Sequence, residues 1–158
     1  MLATWMLLGW LAACAYQDLR RRKVDNLLTL GGLAAAAAYL YLHGHSLTQH
    51  SVAAALAAAA LGLGLSLPGY RLGKLGAADV KLLAALGLAS DPDTLLYSLG
   101  LACLATLLLM LGSRLSIDSN RLPQPVVARL KSFDASRSKS FPFAFSIFTG
   151  YLLQLAFT

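Results

Sequence analysis

Six apolar runs divide this sequence, and all 13 of its lysine and arginine residues fall in or beside three alternate connections between them. The runs span about Leu2–Gln17, Asn26–Leu42, Ser51–Leu67, Ala78–Ala89, Thr94–Gly112 and Pro142–Phe157. A bilayer core takes roughly 20 apolar residues per helix, with about 17 as the short limit. Each run is therefore expected to be a transmembrane helix, the fourth a short one that needs Gly76 and Ala77 to reach across. Arg20, Arg21, Arg22 and Lys23 follow the first run, and Arg71, Lys74 and Lys81 surround the passage from the third to the fourth. The remaining six basic residues, from Arg114 to Lys139, lie between the fifth and the sixth. The other two connections hold only His43, His45, His50, Asp91 and Asp93 as ionisable groups. An excess of lysine and arginine marks cytoplasmic loops. The expectation is an all-α, polytopic membrane protein: a single domain over residues 1–158, with six transmembrane helices and both termini on the non-cytoplasmic side.

Composition agrees. The chain is 58% hydrophobic and 13% charged, whereas a soluble domain is about 45–50% apolar and about 25% charged. The net charge of +6 does not point to nucleic acid, because the basic residues follow topology and lack interleaved aromatics. The first run has no basic start and no evident cleavage site, so it is expected to be a retained helix and not a signal peptide. Cys14 and Cys103 lie inside apolar runs with no Cys-x-x-Cys pair; they are expected to be small buried hydrophobes, and no metal site is indicated. The glycines and alanines of the second and third runs suit close helix packing. The polar stretch of about 114–141 contains Val126, Val127, Leu130 and Phe133 interleaved with Arg129 and Lys131. That pattern suits a basic, amphipathic segment lying on an anionic leaflet, with a substrate-docking surface as the alternative.

Glutamate is absent, and the seven acids are all aspartates. Under the expected topology Asp18, at the end of the first helix, and Asp79, at the start of the fourth, share the cytoplasmic interface. Ionisable groups at a membrane boundary mark either topology or chemistry. Two carboxylates a few ångström apart share one proton. The ionised member can then take a proton from water while its partner donates to a scissile carbonyl. Blander roles are available: an N-cap for Asp79, and an ion pair with the following arginines for Asp18. Asp25 rivals Asp18 from the same loop. Lys81 either biases the acidic pair or snorkels to the interface, and snorkelling is the simpler account.

Three patches resemble the type IV prepilin peptidase family of membrane aspartyl proteases, in its short form serving Flp-type (tight-adherence) pili. Asp18-Leu19-Arg20-Arg21-Arg22-Lys23-Val24-Asp25-Asn26 is similar to the segment in which an aspartate leads through basic residues to Ile-Pro-Asn. Gly76-Ala77-Ala78-Asp79-Val80-Lys81 is similar to Gly-x-Gly-Asp with its following lysine. Pro142-Phe143-Ala144-Phe145-Ser146-Ile147, ending at Gly150, resembles the last-helix pattern. The resemblance implies Asp18 and Asp79 as catalytic dyad, with Gly76, Ala78, Lys81 and Asn26 at supporting motif positions. Two positions depart from the pattern: Ala78 stands where the family has glycine, and Asp25 where it has proline. If that glycine supplies a positive φ or a close approach, alanine there strains or narrows the site.

The resemblance further implies an inner-membrane endopeptidase that cuts the basic leader of a prepilin or pseudopilin on the cytoplasmic side, commonly after glycine. The cysteine-rich loop of the methylating long forms has no counterpart here. The expectation is therefore peptidase activity without methyltransferase activity, and no cofactor, zinc or S-adenosylmethionine. Two other classes compete. A small ion- or proton-coupled transporter would place its ionisable groups near the midplane, in broken helices. A non-catalytic subunit of a pilus or secretion assembly would use the aspartates only as caps. His43, His45 and His50 form a further, weak candidate for a metal.

Overall fold

The computed structural model describes residues 2–21, 23–118 and 143–157. It is all-helical over these residues: α1 (Leu2–Arg21), α2 (Asn26–His43), α3 (Val52–Arg71), α4 (Ala77–Ala89), α5 (Pro92–Asp118) and α6 (Phe143–Phe157). Each helix coincides with one apolar run. Three run on further than the hydropathy predicts, among them α3, which continues through Arg71 instead of Leu67. Helix α1 continues through Arg21 instead of ending at Gln17, and α5 continues through Asp118 instead of Gly112. Polar residues extend both, because the backbone hydrogen-bond ladder needs helical dihedrals and not apolar side chains. Residues 114–118, expected in the basic loop, are therefore helical; the rest of the amphipathic stretch lies outside the described residues.

Helix α4 is the centre of the bundle. Leu82 to Gly87 and Ala89 are all buried, as expected of a helix that is apolar on every side. It packs mainly on α3 and α2, while α6 packs on α5 and α1. Small residues set how closely these helices approach. A Cβ on Gly87 would lie 2.6 Å from the Ala58 backbone, and one on Gly62 would lie 2.7 Å from the Leu83 carbonyl oxygen. Gly150 makes the equivalent approach between α6 and the α5 backbone at Ser98 and Ala102.

Along α1 the buried residues Leu7, Leu11, Cys14 and Asp18 recur at helical spacing on one face. The longer α1 thus carries an aspartate onto the stripe that faces the core. Cys14 is buried as expected, but Cys103 is exposed on α5.

The outside of the bundle is rich in exposed apolar side chains, among them Trp5, Leu27, Leu42, Leu56 and Leu107. Surfaces of this kind mark contact with membrane or protein. Helix α3 has a mean hydropathy of 1.8 and is the one helix among the described residues that is long and apolar enough by itself to cross a bilayer.

Candidate active site

The end of α1 and the starts of α2, α4 and α6 meet at one end of the bundle. Asp18 is 5% exposed there. Its Oδ2 accepts the backbone N–H of Ala144 at 2.8 Å. This is an amide of the first turn of α6, which has no carbonyl partner inside its own helix. Asp18 is therefore not an ion-pair partner of the described arginines around it. Arg20 donates to the Tyr16 hydroxyl at 3.0 Å, and Arg21 lies 3.6 Å from Asp25.

Asp79 is the third residue of α4. Its Oδ2 accepts the Gly76 N–H at 2.9 Å, while its own N–H donates to the Gly76 carbonyl at 3.1 Å. This reciprocal pair closes the N-terminus of α4 as a capping box does. Asp79 also lies within electrostatic reach of Asp18. Packing thus brings together two carboxylates that are 61 positions apart in sequence, each with an oxygen held by a backbone amide. Asp25, the rival, is drawn aside. It precedes α2, accepts from the Gln17 amide at 3.2 Å and pairs with Arg21 on the exposed surface.

The supporting positions have defined contacts. Lys81 Nζ donates to Asn26 Oδ1 at 2.8 Å, tying the first turns of α4 and α2 together; it has a fixed protein partner, which snorkelling alone does not require. Breaking this bond in Lys81→Met or Asn26→Ala is expected to cost about 1 kcal/mol. A double-mutant cycle in thermal unfolding should recover most of that as coupling between the two residues.

Ala78 sits in the first turn of the right-handed helix α4, and Gln49 is the only non-glycine residue with positive φ among the described residues. The position makes no conformational demand for glycine, and the Ala78 side chain packs against the core. Gly76 is different: a Cβ there would sit 3.2 Å from Asp79 Oδ2, so a side chain would press on the carboxylate.

The α6 amide that holds Asp18 was not foreseen as functional. The sequence signal for it is Pro142 just ahead of an apolar run, since proline marks helix starts. The loop histidines lie at the far end. His43 stacks on Tyr39 with centroids 4.1 Å apart, and His45 Nδ1 is 3.0 Å from the Ser46 carbonyl. His50 lies 3.4 Å from Asp91, whose carboxylate accepts the Thr94 N–H at the start of α5. Among the described residues, no three His, Cys, Asp or Glu side chains converge as a metal site would need.

Neither a curated protein nor a solved structure matches the chain. The family model of the type IV leader peptidase family, a membrane-associated family of aspartic-type peptidases, matches residues 5–111. The match covers both aspartates and ends before α6, which is linked to them here by its contact with Asp18. With about two thirds of its length matched, the chain belongs to the type IV leader peptidase family.

Proposed function

We propose that this protein is a membrane aspartyl endopeptidase that removes the leader of prepilins or pseudopilins at the cytoplasmic face of the inner membrane. In this reading all six helices span the bilayer, both termini are non-cytoplasmic, and the Asp18–Asp79 end faces the cytoplasm. The short Flp-type form, without methyltransferase activity, is the variety proposed. The observation that carries the reading is the convergence of Asp18 and Asp79 at the end of the bundle where Arg20, Arg21, Lys23 and Lys81 also gather. A water between the two carboxylates loses a proton to the ionised one and adds to the scissile carbonyl carbon, while the protonated one donates to the carbonyl oxygen.

The test is co-expression with a prepilin-type substrate, a short basic leader ending in glycine ahead of a hydrophobic helix, read by the mobility shift of the pilin. Cleavage by wild type that is lost in Asp18→Asn and in Asp79→Asn, at unchanged membrane levels, supports the peptidase. Cleavage that persists in either variant reduces that aspartate to a structural role. The alternative, a non-catalytic assembly subunit, draws on one observation: the capping bond between Asp79 and the Gly76 N–H would exist without any chemistry.

Gly76→Ala separates the two readings further. The backbone at Gly76 is extended, with φ −80° and ψ 156°, so alanine brings no conformational strain. Its Cβ crowds Asp79 Oδ2 all the same. The expected result is normal folding with cleavage slowed by about tenfold or more, since small misplacements of reacting groups are costly. A pure cap would leave no cleavage to slow.

A further inference from the structure

We propose that Gln17 is a positioning residue: by clasping Asp25 across the turn between α1 and α2 it seats Asn26 against Lys81, and so fixes the gap between Asp18 and Asp79. The inference rests on the peptidase reading above and adds a device that lies outside the reacting pair.

The six helices pack as two trios. Helix α6 packs on both α1 and α5, and helix α4 packs on both α2 and α3. Contact between the trios is slighter and runs chiefly between α3 and α5. Asp18 belongs to the first trio and Asp79 to the second. Their own helices, α1 and α4, hardly touch, so the gap between the carboxylates is set through other elements.

Two attachments join α1 to α2 where the trios meet. Trp10 Nε1 donates to the Leu28 carbonyl at 3.0 Å, and its indole fills the space that a side chain on Gly32 would need. Two turns further along α1, Gln17 makes a reciprocal pair with Asp25. Gln17 Oε1 accepts the Asp25 backbone N–H at 3.0 Å, and Nε2 donates to Asp25 Oδ2 at 3.2 Å. One attachment alone is a pivot; the second stops α1 from tilting about it. Gln17 immediately precedes Asp18, so the clasp acts beside the carboxylate. Arg21 lies 3.6 Å from Asp25 as well, but both side chains are exposed, and such ion pairs contribute little.

From Asp25 the path leads to Asp79. Asp25 is the N-cap of α2, and its carbonyl accepts the Leu28 and Thr29 N–H groups at 3.0 and 3.2 Å. Its placement therefore sets the first turn of α2. The next residue, Asn26, accepts from Lys81 Nζ at 2.8 Å, and Lys81 follows Asp79 by two positions on α4. Gln17, Asp25, Asn26 and Lys81 thus form one strap between the two trios, from the neighbour of Asp18 to the turn that carries Asp79.

The backbone at Asp25 shows what the clasp replaces. Its φ of −65° with ψ of 143° is the conformation into which a proline ring locks a residue, and proline is what the family pattern has at this position. Here hydrogen bonds from Gln17 hold the turn that a ring would hold covalently. The Asp25 side chain makes no capping bond to α2, so a proline would remove no cap. The N–H that it would remove is the one that Gln17 accepts. Val24 lies outside both helices, so the bar that proline sets against a helical predecessor does not apply.

The test uses the full-length protein in detergent and a purified prepilin-type substrate with a short basic leader ending in glycine ahead of a hydrophobic helix. Gln17→Ala is expected to lower kcat by about tenfold or more with KM nearly unchanged, because a small displacement of reacting groups costs rate. Lys81→Met, which cuts the strap at its other end, should act in the same way. Gln17→Ala/Lys81→Met is expected to be no slower than the slower single variant, since a strap cut once is already cut. Separate sites this far apart would multiply their losses. Adding Asp25→Pro to Gln17→Ala should restore most of the lost rate. Wild-type kcat in either single variant overturns the proposal, and so do a raised KM at unchanged kcat, losses that multiply, or a proline variant that folds and stays as slow as Gln17→Ala. If the proline variant unfolds at lower temperature than Gln17→Ala, the combination with Lys81→Met decides alone. Each of these failures beside normal cleavage by wild type sinks the strap and leaves the peptidase reading in place. A wild type that cleaves no prepilin-type substrate sinks both.

Discussion

Asp79→Asn is expected to slow cleavage of a prepilin-type substrate by about 10³-fold, within the range for loss of a general acid or base, and Asp18→Asn should do the same. Because the two act as a unit, the double variant should be no slower than either single one. The amide substitutions are chosen for what they retain. An asparagine at 18 keeps an oxygen that can accept the Ala144 N–H, and one at 79 can still accept from Gly76. Fold and membrane level should therefore survive, and the loss should appear in turnover alone. Asp18→Ala is a different experiment. It leaves the buried Ala144 amide of α6 without an acceptor, which costs about 1–3 kcal/mol. It should lower the unfolding temperature in detergent as well as abolish turnover. Wild-type turnover in Asp18→Asn, beside a lowered unfolding temperature in Asp18→Ala, would mean that Asp18 is only the cap of α6.

The second large effect is structural. Gly87→Val is expected to destabilise the protein by at least about 3 kcal/mol, the upper end of ordinary overpacking. The reason is that the added carbon would meet backbone and not a movable side chain. The carbonyl group of Ala58 and the nitrogen of Ala59 lie 2.6–2.7 Å from where that Cβ would stand, so α3 and α4 would have to separate along their contact. Since α4 carries Asp79 at its start, activity should fall together with stability. Gly64→Ala serves as the control. A Cβ there meets nothing within 4 Å, and replacing a mid-helix glycine by alanine stabilises by about 0.5–1 kcal/mol. Thermal unfolding of the two variants side by side checks both signs at once.

Much of the helical framework was legible because apolar runs and helices share a cause: each segment must satisfy its own backbone and bury or expose one kind of surface. Where polar residues extend a helix the hydropathy is silent, and this is why α1 overran Gln17 and α5 overran Gly112. The overrun of α1 mattered, since the spacing of Leu7, Leu11, Cys14 and Asp18 on one face could have placed that aspartate against the core. The choice between Asp18 and Asp25 was open in sequence. It depends on which residue the arriving α6 covers, and no local pattern encodes a contact made by the far end of the chain. Sequence alone leaves Lys81 between biasing the acidic pair and snorkelling, because its acceptor, Asn26, lies 55 positions away. At position 78 the helix geometry answers the question of positive φ, since that residue lies within ordinary right-handed backbone.

The bond between Asp18 and Ala144 joins residues 126 positions apart, and this gives the site a place in time as well as in space. At a synthesis rate of about 5–20 residues per second, the second partner follows the first by roughly 6–25 s. Through that interval α1 to α5 can be made while the carboxylate of Asp18 still waits for the helix that holds it. A truncated or stalled chain would contain both aspartates and lack the α6 amide, so maturation of the site is tied to completion of the last helix.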